Sequence, residues 1–133
     1  MWGNHRSYYN HRIMKKFVNQ WGVYIVALGE RGGSVQSGTR PCVILQNFIG
    51  NSCSPTTICL PITSSQTKSE IPPHYVLYKR DYPFFDCEVN TVLCEQVVTV
   101  DVENQVQKYL GTINLKDRKA LFDKFLQNFY KED

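Results

Sequence analysis

Five short apolar runs, each rich in β-branched or aromatic residues and each cut off by turn chemistry, constrain this chain more than any other feature. They are WGVYIVAL (21–28), CVILQN (42–47), TTICLPIT (56–63), HYVLY (74–78) and TVLCEQVVTVDV (91–102). Between them stand GERGGS, IGNSCSP, EIPPH and DYPFFD, whose glycines, prolines and Asn/Asp/Ser residues turn a chain rather than extend it. Strands so short and closely spaced predict a mainly β fold, a small curled antiparallel sheet or barrel. Pro61 inside the third run cannot donate to a ladder, so that run is expected at an edge or a bulge.

The C-terminal segment INLKDRKALFDKFLQNFYKED follows another period. Leu121, Phe122, Phe125, Leu126, Phe129 and Tyr130 recur at helical spacing, and Asn114 followed by Asp117 resembles a helix start. The spacing predicts a C-terminal α-helix whose apolar stripe faces the core. VENQVQKYLG (102–111) reads as a further short helix ended by Gly111. At 133 residues and 42% hydrophobic content the chain is expected to form one ordered domain. Residues 1–20 read as a basic N-terminal extension and 21–133 as the folded unit.

A net charge of +3 conceals an imbalance. Residues 1–69 hold seven Lys/Arg against one acid, Glu30, whereas residues 70–133 hold eight bases and eleven acids. A basic face attracts polyanions, because neutralising phosphates releases condensed counterions; a solvated surface with uneven decoration fits the charge equally well. The five cysteines (42, 53, 59, 87, 94) are odd in number and form no Cys-x-x-Cys pair, so neither a disulfide framework nor a zinc site is expected. Cys42, Cys59 and Cys94 lie in apolar runs, where a reduced thiol packs as a small hydrophobe. The first 20 residues contain no apolar stretch of signal-peptide length, and VYIVAL (23–28) is too short to span a bilayer. The expectation is a cytoplasmic protein with no membrane partner, no cofactor and no metal.

Three polar clusters interrupt the apolar pattern. The first, GGSVQSGTRPCVIL (32–45), is flexible, rich in hydrogen-bonding groups, and ends in one guanidinium, Arg40, beside a proline that favours extended geometry. A guanidinium presents a planar fork of donors suited to phosphodiester oxygens; it is also a common surface ion-pair partner. The second, PITSSQTKSEIPPH, carries Thr63, Ser64, Ser65, Gln66, Lys68 and His74 at a strand end, as a binding edge or only as a solvated turn. The third is Glu95-Gln96, polar within an apolar run, facing either a ligand or solvent.

Taken together, GSVQSGTRPCVILQN, GN-x-x-SPT, PITS, K-x-x-IPPH and VLCEQVVTVD resemble, in order and spacing, the MazF/PemK/Kid toxins, the ribonuclease halves of bacterial toxin–antitoxin modules. The resemblance covers roughly residues 21–130. It implies a small SH3-like β-barrel with helices, acting as a homodimeric mRNA interferase that cleaves single-stranded RNA at short sequences without a metal, and is neutralised by a cognate acidic antitoxin. It also implies that Arg40 and Thr63 are catalytic, and that Ser34, Gln36, Ser65, Gln66, Lys68, His74, Glu95 and Gln96 line the RNA groove. Attack by a ribose 2′-hydroxyl would leave a 2′,3′-cyclic phosphate and a 5′-hydroxyl. His74 and Glu95 are both open as proton-transfer groups, because a guanidinium is a poor base. Tyr24, Phe48, Tyr82 and Phe84 are available to stack on bases.

Two positions depart from the family pattern. Val35 stands where the loop usually carries Glu, and Val98 stands where a basic residue follows the Glu-Gln pair. Two rival readings follow on the same fold: a non-catalytic toxin like the gyrase-inhibiting CcdB proteins, or a degenerate binder of RNA or antitoxin.

Overall fold

The computed structural model describes residues 16–65 and 72–130. Seven strands form one antiparallel sheet: β1 (Gly22–Ala27), β2 (Thr39–Ile44), β3 (Thr56–Thr63), β4 (His74–Tyr78), β5 (Val89–Leu93), β6 (Val98–Asp101) and β7 (Val106–Thr112). Their order is β4-β5-β3-β2-β1-β7, with β6 also paired to β3. Three helices complete the fold, α1 (Phe48–Cys53), α2 (Val102–Gln105) and α3 (Leu115–Leu126), the last running into a 3₁₀ turn at Gln127–Phe129.

The period-2 pattern explains two cores, because successive strand side chains point to opposite faces. Val23, Val43, Leu60 and Ile62 enter one core, closed by Leu121 of α3. Their neighbours Tyr24, Cys42, Ile44 and Cys59 enter the other, closed by Val100, Val102 and Val106. Strand β3 lies between the two cores, pairing with β2 along one flank and with β6 then β5 along the other.

Four expectations need correction. The third run is not at an edge: β3 is interior. On the flank where β6 gives way to β5, the paired positions stop at Cys59 and resume at Ile62, so Pro61 sits in a gap that requires no ladder donor there. The run 91–102 is two strands broken by a turn, which places Glu95 and Gln96 between β5 and β6 rather than within a strand. Residues 102–111 are helical only to Gln105 and then form β7, which closes on β1. Gly111 is therefore no helix terminator; its missing side chain admits Phe84, whose ring would lie 2.5 Å from an added Cβ. Finally, the C-terminal stripe is only partly core, since Leu121 is buried but Phe129 and Tyr130 are about two-thirds exposed at 65% and 63%.

The GN-x-x-SPT segment has a local cause. Asn51 is buried and accepts from Thr57 Oγ1 at 2.7 Å and from Gln46 Nε2 at 3.0 Å, while its own amide donates to the Gln46 carbonyl at 2.7 Å. This knot fixes α1 to the start of β3. Of the expected N-terminal extension, residues 16–20 are described: Val18 is buried, and Lys16 Nζ donates to the carbonyls of Glu103 and Val106. Residues 1–15 lie outside the described residues. No helix among the described residues is long and apolar enough to cross a membrane.

Candidate active site

Arg40 and Thr63 are neighbours by register. Strands β2 and β3 pair Cys42 with Pro61 and Val43 with Leu60, and the same register carried two residues further sets Arg40 opposite Thr63. Arg40 also pairs with Val26, Thr63 with Thr91, and Thr91 with Val76. The observed β2–β3 pairing ends at Cys42 and Pro61, and beyond it both strands bring these two side chains to one cleft.

Both residues line one open cleft of about 390 Å³, together with Ser64, Phe84, Asp86 and Lys108. Arg40 is half-buried and donates from Nε to the Ser37 carbonyl at 2.9 Å, the one side-chain hydrogen bond it makes among the described residues. Its two terminal nitrogens engage no group among the described residues. Thr63 Oγ1 accepts from the Ser65 N–H at 3.3 Å, which leaves the hydroxyl proton available to a ligand oxygen. Lys108 adds a second positive charge to the cleft and Asp86 a negative one.

None of the other expected groove residues that are described lines this cleft. Ser34 and Gln36 sit on the β1–β2 loop, whose neck is closed by Leu28 N–H to Gly38 O (2.9 Å) and Gly38 N–H to Gly29 O (2.8 Å). Gly29 and Gly38 both take a φ of 78°, in the left-handed region that favours glycine. Gln96 reaches this loop from the β5–β6 turn, accepting from Gln36 N–H at 2.7 Å. His74, 5% exposed at the start of β4, meets the Glu95 carboxylate through Nε2 at 2.8 and 2.9 Å. Gln66 and Lys68 lie outside the described residues.

Burial pushes the Cys94 thiol up to about 12, and the adjoining Glu95 adds to the effect. The Cys42 thiol is pushed well above its ordinary value, first by its hydrogen bond with Cys59 and then by burial. These thiols stay protonated and act as packing groups, as their apolar settings imply. Among the described residues no group of three or more His, Cys, Asp or Glu side chains is placed to hold a metal ion.

Residues 19–129 match the family described as PemK-like, MazF-like toxin of type II toxin–antitoxin system. This chain belongs to that family. The Endoribonuclease MazF of Staphylococcus epidermidis is 37% identical over 91 residues, covering 68% of this chain and 74% of the relative. Solved structures share the fold at lower identity. MazF from Deinococcus radiodurans superposes with a TM-score of 0.69 at 16% identity, covering 86% of this chain and 97% of its own. A mycobacterial endoribonuclease in complex with its cognate antitoxin gives 0.67 at 15% identity, covering 86% and 99%.

Against the MazF-like pattern, the two departures fall in different settings. Val35 is 40% exposed on the loop, where a lost carboxylate changes what the loop shows to a ligand. Val98 packs against the second core, where a base would be costly to bury. Of the four candidate stacking aromatics, Tyr24 and Tyr82 are buried, Phe48 is exposed on α1, and Phe84 alone lines the cleft. Lys108 and Asp86 were missed from sequence. They reach the cleft from β7 and the β4–β5 connection, and neither carries a local motif.

Proposed function

We propose that this toxin endoribonuclease cuts single-stranded messenger RNA in the cleft lined by Arg40 and Thr63, by in-line attack of a ribose 2′-oxygen on the adjacent phosphorus. A bond forms from O2′ to phosphorus as the bond to O5′ breaks; the 2′ proton is given up and O5′ takes one. The products are a 2′,3′-cyclic phosphate and a 5′-hydroxyl, with no change of oxidation state. The substrate brings its own nucleophile, so the protein's largest contribution is to stabilise charge gathering on the phosphoryl oxygens.

What carries this reading is the juxtaposition of Arg40 and Thr63 on one cleft wall, with the terminal guanidinium nitrogens and one hydroxyl proton unspent. The guanidinium would take two non-bridging oxygens at once, and the threonine a third contact. Ser34, Gln36, Ser65, Gln66, Lys68, His74, Glu95 and Gln96 would border the path of the strand on either side. An acidic antitoxin fits the same basic surroundings, and relatives have been solved with theirs, a mycobacterial endoribonuclease with its cognate antitoxin and a MazE–MazF pair from Deinococcus radiodurans. The active form in this reading is a homodimer.

The test is incubation of purified protein with a long transcript in chelator, followed by analysis of product ends. Cyclic phosphate ends are expected, with rates falling by about a hundredfold or more in Arg40→Ala and Thr63→Ala, the usual worth of a donor aimed at developing charge. Full cleavage by Arg40→Ala, or products with 5′-phosphates, would sink the reading.

A further inference from the structure

Three hydrogen bonds on two consecutive loop residues lead from the β5–β6 turn to Arg40. The Gln36 N–H donates to Gln96 Oε1 at 2.7 Å, and the Gln36 carbonyl accepts from Arg31 Nη1 at 2.9 Å. The next carbonyl, that of Ser37, accepts from Arg40 Nε at 2.9 Å. Gln36 is thus clasped on both sides of its backbone, and the planar peptide that follows it sets where the Ser37 unit begins. The loop neck at Gly29 and Gly38 is closed by its own bonds, so the clasp fixes the middle of the loop rather than its ends.

We propose that Gln96 and Arg31 are positioning residues for Arg40. By holding Gln36 they aim the Ser37 carbonyl, which anchors Nε and turns the two terminal nitrogens towards the scissile phosphate. This inference rests on Arg40 being the phosphate clamp. It changes the part given to Gln96, because its carbonyl oxygen is already used by the loop and its Nε2 stands 3.5 Å from the Ser34 carbonyl. A base that took over this oxygen's bond to Gln36 would do so at the loop's expense. A ligand that draws Gln96 away would therefore loosen Arg40 without touching it.

The experiment first maps a cut on a long transcript, then uses a short oligoribonucleotide spanning that site. Gln96→Ala and Arg31→Ala are each expected to lower kcat/KM by about tenfold, on the scale of one net hydrogen bond. Gln96→Glu still accepts from Gln36 N–H and is expected to recover most of the rate. Binding of the same oligonucleotide with 2′-deoxyribose at the cut site is read by fluorescence anisotropy in parent and Arg40→Ala backgrounds. Gln96→Ala should weaken it in the parent and have little further effect once Arg40 is gone. An equal loss in both backgrounds would mean that Gln96 touches RNA directly, and would overturn the relay while leaving the clamp intact. Independently of activity, the Arg40 Nε–H resonance should exchange faster with water in folded Gln96→Ala. An unchanged signal would overturn the relay as well, whereas undiminished cleavage by Arg40→Ala removes the clamp itself.

Discussion

The hydroxyl of Thr91 is buried beside Thr63 and finds no hydrogen-bond partner among the described residues. An unsatisfied buried hydroxyl costs about 1–3 kcal/mol, while an apolar group of the same shape avoids that cost. Thr91→Val is therefore expected to stabilise the fold by about 1 kcal/mol, read as a higher urea midpoint at unchanged slope. Destabilisation instead would show that the hydroxyl is bonded in solution. At this scale Arg40 and Thr63 were legible because each sits in a short motif at a strand end, Arg-Pro and Pro-Ile-Thr-Ser. Lys108 was not, because only the pairing of β7 with β1 brings it to the cleft. Nothing in its neighbours announces that pairing.

Among the elements, α3 shows how a correct boundary can hide a different cause. Asn114 stands at the helix start as its sequence implies, but its side chain makes no capping bond. Asp117 instead accepts from Tyr75 Oη and Tyr82 Oη, each at 2.5 Å, and Tyr82 Oη accepts from the Asn114 N–H at 3.0 Å. The helix is thereby tied to β4 and to the loop after it. Burial first, and the Asp117 bond second, push both phenols well above their ordinary value. Each folded value lies above the unfolded one, so the stability these phenols contribute is intact below about pH 10 and is lost as pH rises beyond it. Melting temperature should fall as pH climbs above about 10, and the fall should be shallower in Tyr75→Phe/Tyr82→Phe. Cys94 acts in the same direction but is common to both proteins, so the difference isolates the phenols. An identical alkaline slope in parent and variant would refute the assignment. Strand β7 was misread as helix because β1 pairs with it through two register shifts, which scramble the alternation that marks a strand. The β5–β6 break was hidden because its turn holds neither glycine nor proline.

For the whole molecule, the basic first half and acidic second half bear on how RNA is held. Each phosphate contact to a single strand contributes about 0.7 to the fall of log K with log salt. Arg40→Ala should flatten that slope by about 0.7, while Thr63→Ala, which removes no charge, should leave it unaltered. Equal slopes for parent and Arg40→Ala would place the guanidinium off the phosphate chain. The mainly β class and C-terminal helix could be read from run lengths and period, but the pairing of β7 with β1 could not, since it joins the last strand to the first. That pairing ties assembly to the order of synthesis. Val106–Thr112 leaves the ribosome long after Gly22–Ala27, and contacts so distant along the chain form late. Until Thr112 has emerged, a nascent copy lacks β7 and with it Lys108, so one wall of the cleft is missing however well the earlier strands have paired.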